Sequence, residues 1–542
     1  MVKAIPARTV KTMLSDGEEI ALLDVREAGQ YADGHPFFAV PLAYSRFEID
    51  IERLVPRRNT RLVLIDDGDG VAGRAAKRAK GLGYTDVAIM EGGAPGWTAA
   101  GYTLFDGVNL PSKTFGELVE LERHTPRITA DELVAMQKRG DNIVIVDGRT
   151  FAEYQRFNIP GGISCPNGEL ALRIDAIAPD PKTRIVVNCA GRTRSIIGAQ
   201  TLIDLGVPND VVALENGTQG WFLAGYQVER GAARKYPQPT LSPDQLAERR
   251  TRAAEHAARC GVRAVTAADV RAWLADPRRT TYLLDVRTAE EVAAAPLAGF
   301  VHAPGGQLQQ ATDQWIGVKG ARLVLADGEG VRAPMVAAWL RQLGHEACVL
   351  EDRDNAATIG AAIPADRWAR GPEMLKARAA ALHAVTPQGL SAFLWSGGGI
   401  ALDLRASQDY RDGHIPGSIW ATRPRLAAAI ADTAQPVILI ADAPEIAAAA
   451  SIDLAELGVG EISVLAGGAE AWRADGQTLN ATPDNPPDRD RIDFVFHTHQ
   501  RHDGNAEAAR AYLDWEVGLV DRLDAQERGV FRIAGRACST RS

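Results

Sequence analysis

The sequence predicts an α/β protein with four tandem modules, each a small parallel sheet with helices on both faces, followed by a C-terminal helical tail. Three observations predict this class. An apolar strand that ends in Asp-x-Arg occurs four times, and short, almost continuously apolar strands alternate with helical patterns. The gaps between the repeated Asp residues are 123, 138 and 118, each the length of one small domain. At 542 residues the chain is too long for a single core.

The first two strands of each repeat are the clearest signals. The first strand ends in Asp24-Val25-Arg26, Asp147-Gly148-Arg149, Asp285-Val286-Arg287 and Asp403-Leu404-Arg405. A turn rich in Gly, Pro or His follows, as in Gly34-His35-Pro36, Pro160-Gly161-Gly162, Pro304-Gly305-Gly306 and Gly413-His414-Ile415-Pro416-Gly417-Ser418. The second apolar strand then covers residues 62–65, 185–188, 323–326 and 437–440. These strands predict the centre of each sheet.

The second half of each repeat predicts a helix, a third strand and a glycine-rich turn. The helix ends at Leu82-Gly83, Leu205-Gly206, Leu343-Gly344 and Leu457-Gly458. The turn carries a tryptophan in three copies, Trp97, Trp221 and Trp472, which we interpret as packing anchors. The third copy has Glu351-Asp352-Arg353-Asp354 instead. Ligands of parallel sheets bind beyond the carboxyl ends of the strands, so we expect a site there.

Composition shifts place the module boundaries. We expect modules at 1–106, 124–231, 262–370 and 384–479, with a tail at 480–542. Residues 107–123 and 371–383 are expected as linkers, and a charged helix that Ser242 caps is expected to join the second and third modules. Residues 506–523 predict an amphipathic helix in the tail, with Trp515 and Leu519 on it.

Composition also narrows the function. Hydrophobic residues make up 46% and charged residues 24%, as in ordinary globular proteins, and the net charge of -9 argues against nucleic acid as the main partner. The first residues lack the apolar core of a signal peptide, and no apolar run has the length of a membrane span. We therefore expect a cytoplasmic protein without a membrane segment.

The five cysteines are few, odd in number and scattered, at 165, 189, 260, 348 and 538. Without a C-x-x-C pair they argue against a disulfide framework and a structural zinc site. We expect neither a metal nor a cofactor. Cys165 is interpreted as a core residue in preference to a resolving thiol. The histidine-rich run from His497 to Asp503 has spacing that suits a metal, but a solvated or interface role is favoured.

Cys189 is the most reactive thiol that the sequence predicts. It lies between an apolar strand and a helix, at a turn where amide N–H groups of the helix N-terminus stabilise a thiolate. Two arginines, Arg192 and Arg194, lie within five residues of it. The alternative interpretation of Cys189 is a buried thiol of the core, but two arginines and a glycine loop are unusual neighbours for a core thiol.

The repeat register assigns the thiol to one module only. Positions 42 residues after the repeated Asp are Asp66, Cys189 and Asp327, each 17 residues before the glycine of its Leu-Gly pair. The fourth copy has Ala441 there, or Asp442 if its loop is one residue shorter. A carboxylate does not accept sulfane sulfur as a thiolate does, so modules one, three and four are expected to be catalytically silent.

The motifs follow one another in a fixed order: the Asp-x-Arg strand, the Gly-His-Ile-Pro-Gly turn, the Cys loop and the Gly-Gly-x-x-x-Trp turn. This order resembles the rhodanese family of sulfurtransferases over nearly 480 residues. The resemblance implies a Cys189 thiolate that takes sulfur from thiosulfate or a related donor and passes it to a thiol or cyanide. It implies that Arg192 and Arg194 hold the anionic donor and that Arg149 orients the loop. The loop that it places around the sulfur consists of Ala190, Gly191, Arg192, Thr193, Arg194 and Ser195.

Two alternatives stay open at this point. A cysteine phosphatase of related fold requires Cys-x5-Arg, whereas here Arg194 is the fifth residue after Cys189 and Ser195 the sixth, so the loop is one residue short. The other alternative is a largely non-catalytic scaffold or sulfur-carrier binding protein, because three modules lack the thiol. The sequence leaves open whether the chain forms a homodimer.

Overall fold

The computed structural model of the chain describes residues 2–239, 241–352, 356–363, 369–430, 433–498, 501 and 504–534. It contains four five-stranded sheets. Counted along the chain within one module, the strand order is 1-5-4-2-3 in every sheet, and all the paired strands are parallel. The predicted fold class is therefore confirmed.

Module one alternates five strands with five helices. Its strands are β1 (Lys3–Ile5), β2 (Ile20–Asp24), β3 (Val40–Pro41), β4 (Arg61–Ile65) and β5 (Val87–Met90). Its helices are α1 (Ala7–Met13), α2 (Ala28–Asp33), α3 (Phe47–Leu54), α4 (Val71–Gly81) and α5 (Gly93–Ala99).

Module two has the same plan and is preceded by helix α6 (Leu110–Arg123). Its strands are β6 (Arg127–Ile128), β7 (Ile143–Asp147), β8 (Ile163–Ser164), β9 (Arg184–Asn188) and β10 (Val211–Leu214). Its helices are α7 (Ala130–Arg139), α8 (Phe151–Arg156), α9 (Asn167–Ile177), α10 (Thr193–Leu205) and α11 (Gly217–Leu223).

Module three follows helix α12 (Pro243–Arg259), which begins at the expected Ser242 cap. Its strands are β11 (Arg263–Val265), β12 (Thr281–Asp285), β13 (Val301–His302), β14 (Arg322–Ala326) and β15 (Glu346–Leu350). Its helices are α13 (Ala267–Ala275), α14 (Ala289–Ala294), α15 (Gly305–Gln310), α16 (Arg332–Gln342) and α17 (Ala356–Gly360). Arg353 and Asp354, expected where the tryptophan turn is lost, lie outside the described residues.

Module four follows helix α18 (Arg370–Ala381), and the tail follows module four. The strands are β16 (His383–Val385), β17 (Ile400–Asp403), β18 (Ile419–Trp420), β19 (Val437–Ile440) and β20 (Ile462–Leu465). The helices are α19 (Pro387–Trp395), α20 (Ser407–Asp412), α21 (Leu426–Ala429), α22 (Pro444–Glu456) and α23 (Gly468–Ala474). The tail contributes α24 (Ala506–Gly518) and α25 (Ala525–Arg528).

Strand β9 shows why each sheet is covered on both faces. Ile185 and Val187 pack into one core with residues of α9 and α10, whereas Val186 packs into a second core with residues of α7 and α11. Successive side chains of a strand point to opposite faces, so the consecutive apolar residues 185–187 require an apolar layer on each face of the sheet. Trp221 lies in the second core with 4% of its surface exposed, in agreement with a packing role.

The segments expected as linkers are helical. Residues 107–123 contain α6, and residues 371–383 contain most of α18. Both helices have apolar side chains in cores, Phe115 and Leu118 in α6 and Leu375 in α18. Composition predicted linkers here, but each helix has an apolar face that packs against neighbouring helices.

The chain divides into two compact units. Modules one and four and the first residues of the tail, as residues 1–16, 20–108 and 365–497, form one unit. Modules two and three and the rest of the tail, as residues 17–19, 109–364 and 498–542, form the other. In the described part of the chain, we find no helix with the length and apolar character that a bilayer crossing requires.

Candidate active site

Cys189 follows β9 at the carboxyl edge of the second sheet. Strand β9 pairs with β7 so that Asn188 lies opposite Asp147, and Cys189 is the next residue. The thiol is 2% exposed and receives a hydrogen bond from the Ser195 hydroxyl, with Oγ 3.1 Å from Sγ. The strand thus delivers the sulfur to the edge where parallel sheets bind ligands.

The start of α11 holds the Cys189 loop from behind. The Thr218 N–H donates to the Cys189 carbonyl over 2.8 Å, and the Gln219 N–H donates to the Ala190 carbonyl over 3.0 Å. Gly217 has a φ of +53°, and a Cβ there would lie 2.3 Å from the Cys189 carbonyl oxygen. Only glycine tolerates this approach, so the glycine-rich turn fixes the loop's position.

The two loop arginines are both held by carboxylates of the chain. Arg194 forms a two-pronged ion pair with Glu153, with N–O distances of 2.8 and 2.7 Å. Arg192 pairs with Glu117 over 2.7 and 2.8 Å and also bonds Glu120. Both guanidinium groups are thus paired with carboxylates of the chain. That Arg192 and Arg194 hold an anionic donor stays a prediction.

Electrostatic coupling nevertheless links Arg194 to the thiol. Burial would lower the pKa of Arg194, but Glu153 and then the Cys189 sulfur raise it above its ordinary value. For Glu153, burial acts to raise the pKa, and the opposing effect of Arg194 and Thr150 lowers it to about 2. The pair is therefore fully ionised at neutral pH.

Module three repeats the same pair without a thiol. Arg332 occupies the position of Arg194, five residues after Asp327, and bonds Glu291 over 2.6 and 3.0 Å. Module three has Asp327 in place of the cysteine and still retains the arginine and the glutamate. The pair therefore contributes to the loop structure in both modules.

Arg149 takes part in a contact that all four modules share. It bonds Asp147 through Nε and Nη2, and Nη2 also donates to the Phe157 carbonyl over 2.6 Å. The equivalent arginines, Arg26, Arg287 and Arg405, bond their own Asp and a carbonyl eight residues on. This recurrence supports a structural role, and orientation of the Cys189 loop by Arg149 stays a prediction.

Among the described residues, Ser195 supplies the hydrogen bond that reaches the Cys189 sulfur. The expected ring of loop amides around the sulfur stays a prediction.

The other described cysteines, Cys165, Cys260 and Cys348, have thiol pKa values above the ordinary value. Burial is the main cause in each case. It raises the pKa of Cys165 well above its ordinary value, raises the pKa of Cys260 to about 11, and raises the pKa of Cys348. Cys538 lies outside the described residues.

The loops of modules one and three show what such a loop does with an anion. The Asp327 carboxylate accepts hydrogen bonds from the amides of Gly330, Val331, Arg332 and Ala333 over 2.8 to 3.1 Å. Asp66 accepts in the same way from Gly68, Gly70 and Ala72 over 2.9 to 3.1 Å. These carboxylates cap the following helices and fill the concave loop.

Sheet pairing settles the position in module four. Asp403 pairs with Ile440 as Asp147 pairs with Asn188, so the residue in register with Cys189 is Ala441. A Cβ on Gly468 would lie 2.6 Å from the Ala441 carbonyl oxygen, which repeats the contact of Gly217 with Cys189. The alternative register with Asp442 is not the one observed.

We expect Asp327→Ala to lower the free energy of unfolding of module three by about 1–2 kcal/mol, because two amides at the start of α16 and two in the preceding loop lose their acceptor. Hydrogen exchange of the amides of residues 330–333 measures this change. The control is Asp210→Ala, which removes an exposed carboxylate that pairs with Arg184. Equal protection of the 330–333 amides in Asp327→Ala and in the unchanged chain would contradict the capping role.

The tail brings residues to the loop that the sequence did not indicate. The Thr193 hydroxyl donates to Glu516 over 2.7 Å, and Lys113 bonds the Tyr512 hydroxyl. A Cβ on Gly191 would lie 3.0 Å from Glu516 Oε2 and 3.2 Å from a Tyr512 ring carbon. No local pattern marks these contacts, because more than 300 positions separate Thr193 from Glu516.

The histidine-rich run is only partly described. His497 Nδ1 lies 3.8 Å from Asp106, and His499, His502 and Asp503 lie outside the described residues. Within the described ranges, no three His, Cys, Asp or Glu side chains are grouped closely enough to hold a metal ion.

Comparison with known proteins defines the family. The model of the rhodanese-like domain matches residues 6–100, 129–224, 266–352 and 386–475. The chain belongs to the rhodanese family. Each matched segment of this rhodanese chain contains four strands of one sheet, and the second includes the Cys189 loop.

Two known proteins are similar to this chain over different lengths. The crystal structure of a thiosulfate sulfurtransferase from Pseudomonas aeruginosa is 41% identical, covers 98% of this chain and 100% of its own, and has a TM-score of 0.87. The HTH-type transcriptional regulator Rv0324 from Mycobacterium tuberculosis is 34% identical over 105 residues, 19% of this chain. The chain spans 45% of the length of that regulator.

Proposed function

We propose that the protein is a sulfurtransferase that moves sulfane sulfur from thiosulfate or a related donor to a thiol or cyanide through a persulfide on Cys189. The observation that carries the proposal is the placement of one thiol at the carboxyl edge of the second sheet, while the positions in register hold Asp66, Asp327 and Ala441. Similarity over almost the whole chain to a thiosulfate sulfurtransferase supports it.

The proposed reaction has two steps. The Cys189 thiolate attacks the outer sulfur of thiosulfate, a new S–S bond forms, and sulfite leaves with the electron pair of the broken S–S bond. An acceptor thiolate or cyanide then attacks the outer sulfur of the persulfide, and the thiolate of Cys189 is the leaving group. Neither step needs a metal or an external oxidant.

The loop amides are the proposed stabilisers of the persulfide anion. In module three, four amides of the equivalent loop bond one carboxylate, so this loop type gathers N–H groups around a negative charge. Replacing the carboxylate by a cysteine leaves room for a terminal sulfur. Arg194, coupled to the Cys189 sulfur, adds positive potential although Glu153 pairs with it.

Steady-state kinetics test the proposal. The rates are measured side by side with thiosulfate, mercaptopyruvate and glutathione persulfide as donors, and with cyanide or a thiol as acceptor. We expect turnover with thiosulfate. A chain that is folded by circular dichroism and turns over none of the three donors would contradict the proposed activity.

A scaffold or sulfur-carrier binding role is the second candidate, and the three modules without a thiol favour it. Here the four modules serve to bind a partner. A scaffold keeps its cellular role when Cys189 is replaced by serine, whereas an enzyme loses it. Cellular complementation with the Cys189→Ser chain therefore separates the two functions.

The module boundaries and the cellular compartment of the protein are further parts of this proposal. We propose module boundaries at 1–106, 124–231, 262–370 and 384–479, a tail at 480–542, and catalysis in the second module alone. We also propose the cytoplasm as the compartment, since scattered cysteines suit reducing conditions.

A further inference from the structure

One nitrogen of the Arg149 guanidinium has no hydrogen-bond partner among the described residues. Nε and Nη2 bond Asp147, and Nη2 also donates to the Phe157 carbonyl. The third nitrogen, Nη1, is buried and makes no hydrogen bond to a described residue, and Arg149 as a whole is 1% exposed. An unsatisfied donor of a buried guanidinium costs free energy, so a ligand that accepts from Nη1 would be stabilised there.

The equivalent arginine of module one uses this nitrogen to bind a carboxylate. Arg26 bonds Asp24 through Nε over 2.9 Å and through Nη2 over 2.6 Å, and Nη2 donates to the Gly34 carbonyl over 2.7 Å. Its Nη1 donates to Asp67 Oδ1 over 2.9 Å. A guanidinium is planar and its N–H groups have fixed directions, so the same contacts of Nε and Nη2 point Nη1 the same way in both modules.

Ala190 occupies the position of Asp67 in module two. In each module, the Asp of the first strand pairs with the residue that lies two positions before Asp67 or Ala190. Alanine has no acceptor, so a methyl group stands where module one has a carboxylate. Arg149 Nη1 therefore faces a space that module one fills with an anion, and this space adjoins the residue that follows Cys189.

Module four has a carboxylate at the same position. Asp442 follows Ala441, the residue in register with the cysteine, and so corresponds to Asp67. Burial would lower the pKa of Arg405, but Asp403 and then Asp442 raise it. Two of the three modules without the thiol thus supply their own anion to this arginine, whereas the module with the thiol does not.

The charges around the space in module two are paired. Asp147 pairs with Arg149, and Glu153, which stands where Gln30 of module one is a second donor to the carboxylate, pairs with Arg194. These pairs do not prevent binding of a further anion, because the arginine of module one bonds two carboxylates through different nitrogens. Recognition would come from directed N–H groups, with the loop amides adding partial positive charge.

We propose that Arg149 Nη1 binds an oxyanion oxygen of the sulfur donor, in the space beside Ala190 that a carboxylate fills in module one. The inference rests on the proposed sulfurtransferase function and adds Arg149 to the groups that touch the donor. Nε and Nη2 keep their structural contact with Asp147, and Nη1 is the nitrogen that binds.

Thiosulfate carries the required group, because its sulfonate oxygens are bonded to the sulfur that is not transferred. The Cys189 thiolate attacks the outer sulfur, the S–S bond of the donor breaks, and sulfite leaves with its electron pair. Negative charge on the sulfite oxygens grows as this bond breaks. A hydrogen bond from Arg149 Nη1 to one of these oxygens is therefore stronger in the transition state than in the bound donor.

Two donors, one with an oxyanion and one without, test the subsite. The full-length chain is mixed with thiosulfate or with 2-hydroxyethyl persulfide, and formation of the Cys189 persulfide is followed by rapid quenching and mass spectrometry. Both donors load the same sulfur onto the same cysteine. The ratio of the two loading rates therefore removes changes in folding or in the reactivity of the thiolate.

Ala190→Asp gives module two the carboxylate of module one. We expect it to lower the loading rate with thiosulfate about 100-fold and that with 2-hydroxyethyl persulfide less than about fivefold, since the carboxylate occupies Nη1 and repels a dianion. Ala190→Asn is the matched variant of equal size without the charge, and we expect a loss of about tenfold with thiosulfate. Equal losses with the two donors in Ala190→Asp would overturn the subsite.

Arg149→Lys removes Nη1 and keeps the positive charge. We expect the thiosulfate rate, relative to the 2-hydroxyethyl persulfide rate, to fall about tenfold. Arg405→Lys is the control, because it changes the same contact with Asp403 in a module without a thiol, and it should leave both rates within about twofold. An equal loss with both donors in Arg149→Lys would mean a structural role alone and would contradict the inference. Failure of the unchanged chain to form a persulfide with either donor would instead refute the proposed function.

Discussion

Replacing Cys189 by serine is expected to lower kcat/KM for sulfur transfer about 10³-fold or more, because the serine hydroxyl is not ionised at neutral pH and forms no persulfide. The fold should be unaffected. Serine differs from cysteine by one atom, and the Ser195 hydroxyl that now bonds the sulfur is able to bond an oxygen as well. Steady-state assay with the best donor measures the effect.

Cys260→Ser is the matched control for this variant. Cys260 is half-buried, and burial above all raises its pKa to about 11, so it is not an effective nucleophile. Its replacement should leave the rate within about twofold of the unchanged chain. Equal loss in both variants would indicate a general effect of cysteine replacement and not the removal of the nucleophile.

Arg332→Met is expected to destabilise α16 by about 3–5 kcal/mol, because it removes the central cation of a buried network. Arg332 has no exposed surface, and it bonds Glu169 over 2.9 Å, Glu291 over 2.6 Å and Glu329 over 2.6 Å. The substitution leaves the buried Glu169 and its neighbour Glu291 with Arg173 alone, which bonds Glu169 over 2.7 Å and lies 3.7 Å from Glu291. Removal of one cation from a buried network leaves carboxylate charge that is only partly compensated, and this costs stability.

Hydrogen exchange of peptides from α16 measures this effect without requiring two-state unfolding of a multi-domain chain. A loss of about 3 kcal/mol corresponds to exchange that is about 150-fold faster. Arg278→Met is the control, because its side chain is 86% exposed and pairs at the surface with Asp276. It should change exchange less than about threefold. Similar protection in Arg332→Met and the unchanged chain would show that the network contributes little.

The repeated strand pattern was sufficient to predict the four parallel sheets. Each sheet has a central strand with at least three consecutive apolar residues, such as Ile185, Val186 and Val187 in β9, and this local sequence property predicted the element. The spacing of 42 residues also placed Asp66 and Asp327 correctly in register with Cys189, as the strand pairing shows. In module four the spacing left two residues, and pairing of Asp403 with Ile440 selected Ala441.

The partners of the loop could not be predicted in the same way. The sequence placed Arg192 and Arg194 near the sulfur but gave no sign that Glu117 and Glu153 hold them. Glu153 had a local signal, the Thr150-x-x-Glu153 capping box, which explains its position at the start of α8. Glu117 lies on a helix interpreted as a linker, and its contact depends on tertiary packing alone.

The tail shows the same limit more strongly. Its helix was predicted from amphipathic spacing, and α24 is found at Ala506–Gly518. The sequence did not indicate that Tyr512 and Glu516 on this helix contact the Cys189 loop. Contacts between distant segments depend on how whole elements pack, and a single sequence carries no periodic trace of them.

Mass spectrometry of the donor-treated chain tests the central claim most directly. After incubation with thiosulfate and proteolysis without reductant, the peptide that contains Cys189 should gain about 32 Da, and reductant should remove the added mass. The peptides with Cys165, Cys260 and Cys348 should be unmodified. Added sulfur on one of those peptides, or none on the Cys189 peptide of a chain that turns over thiosulfate, would contradict the account.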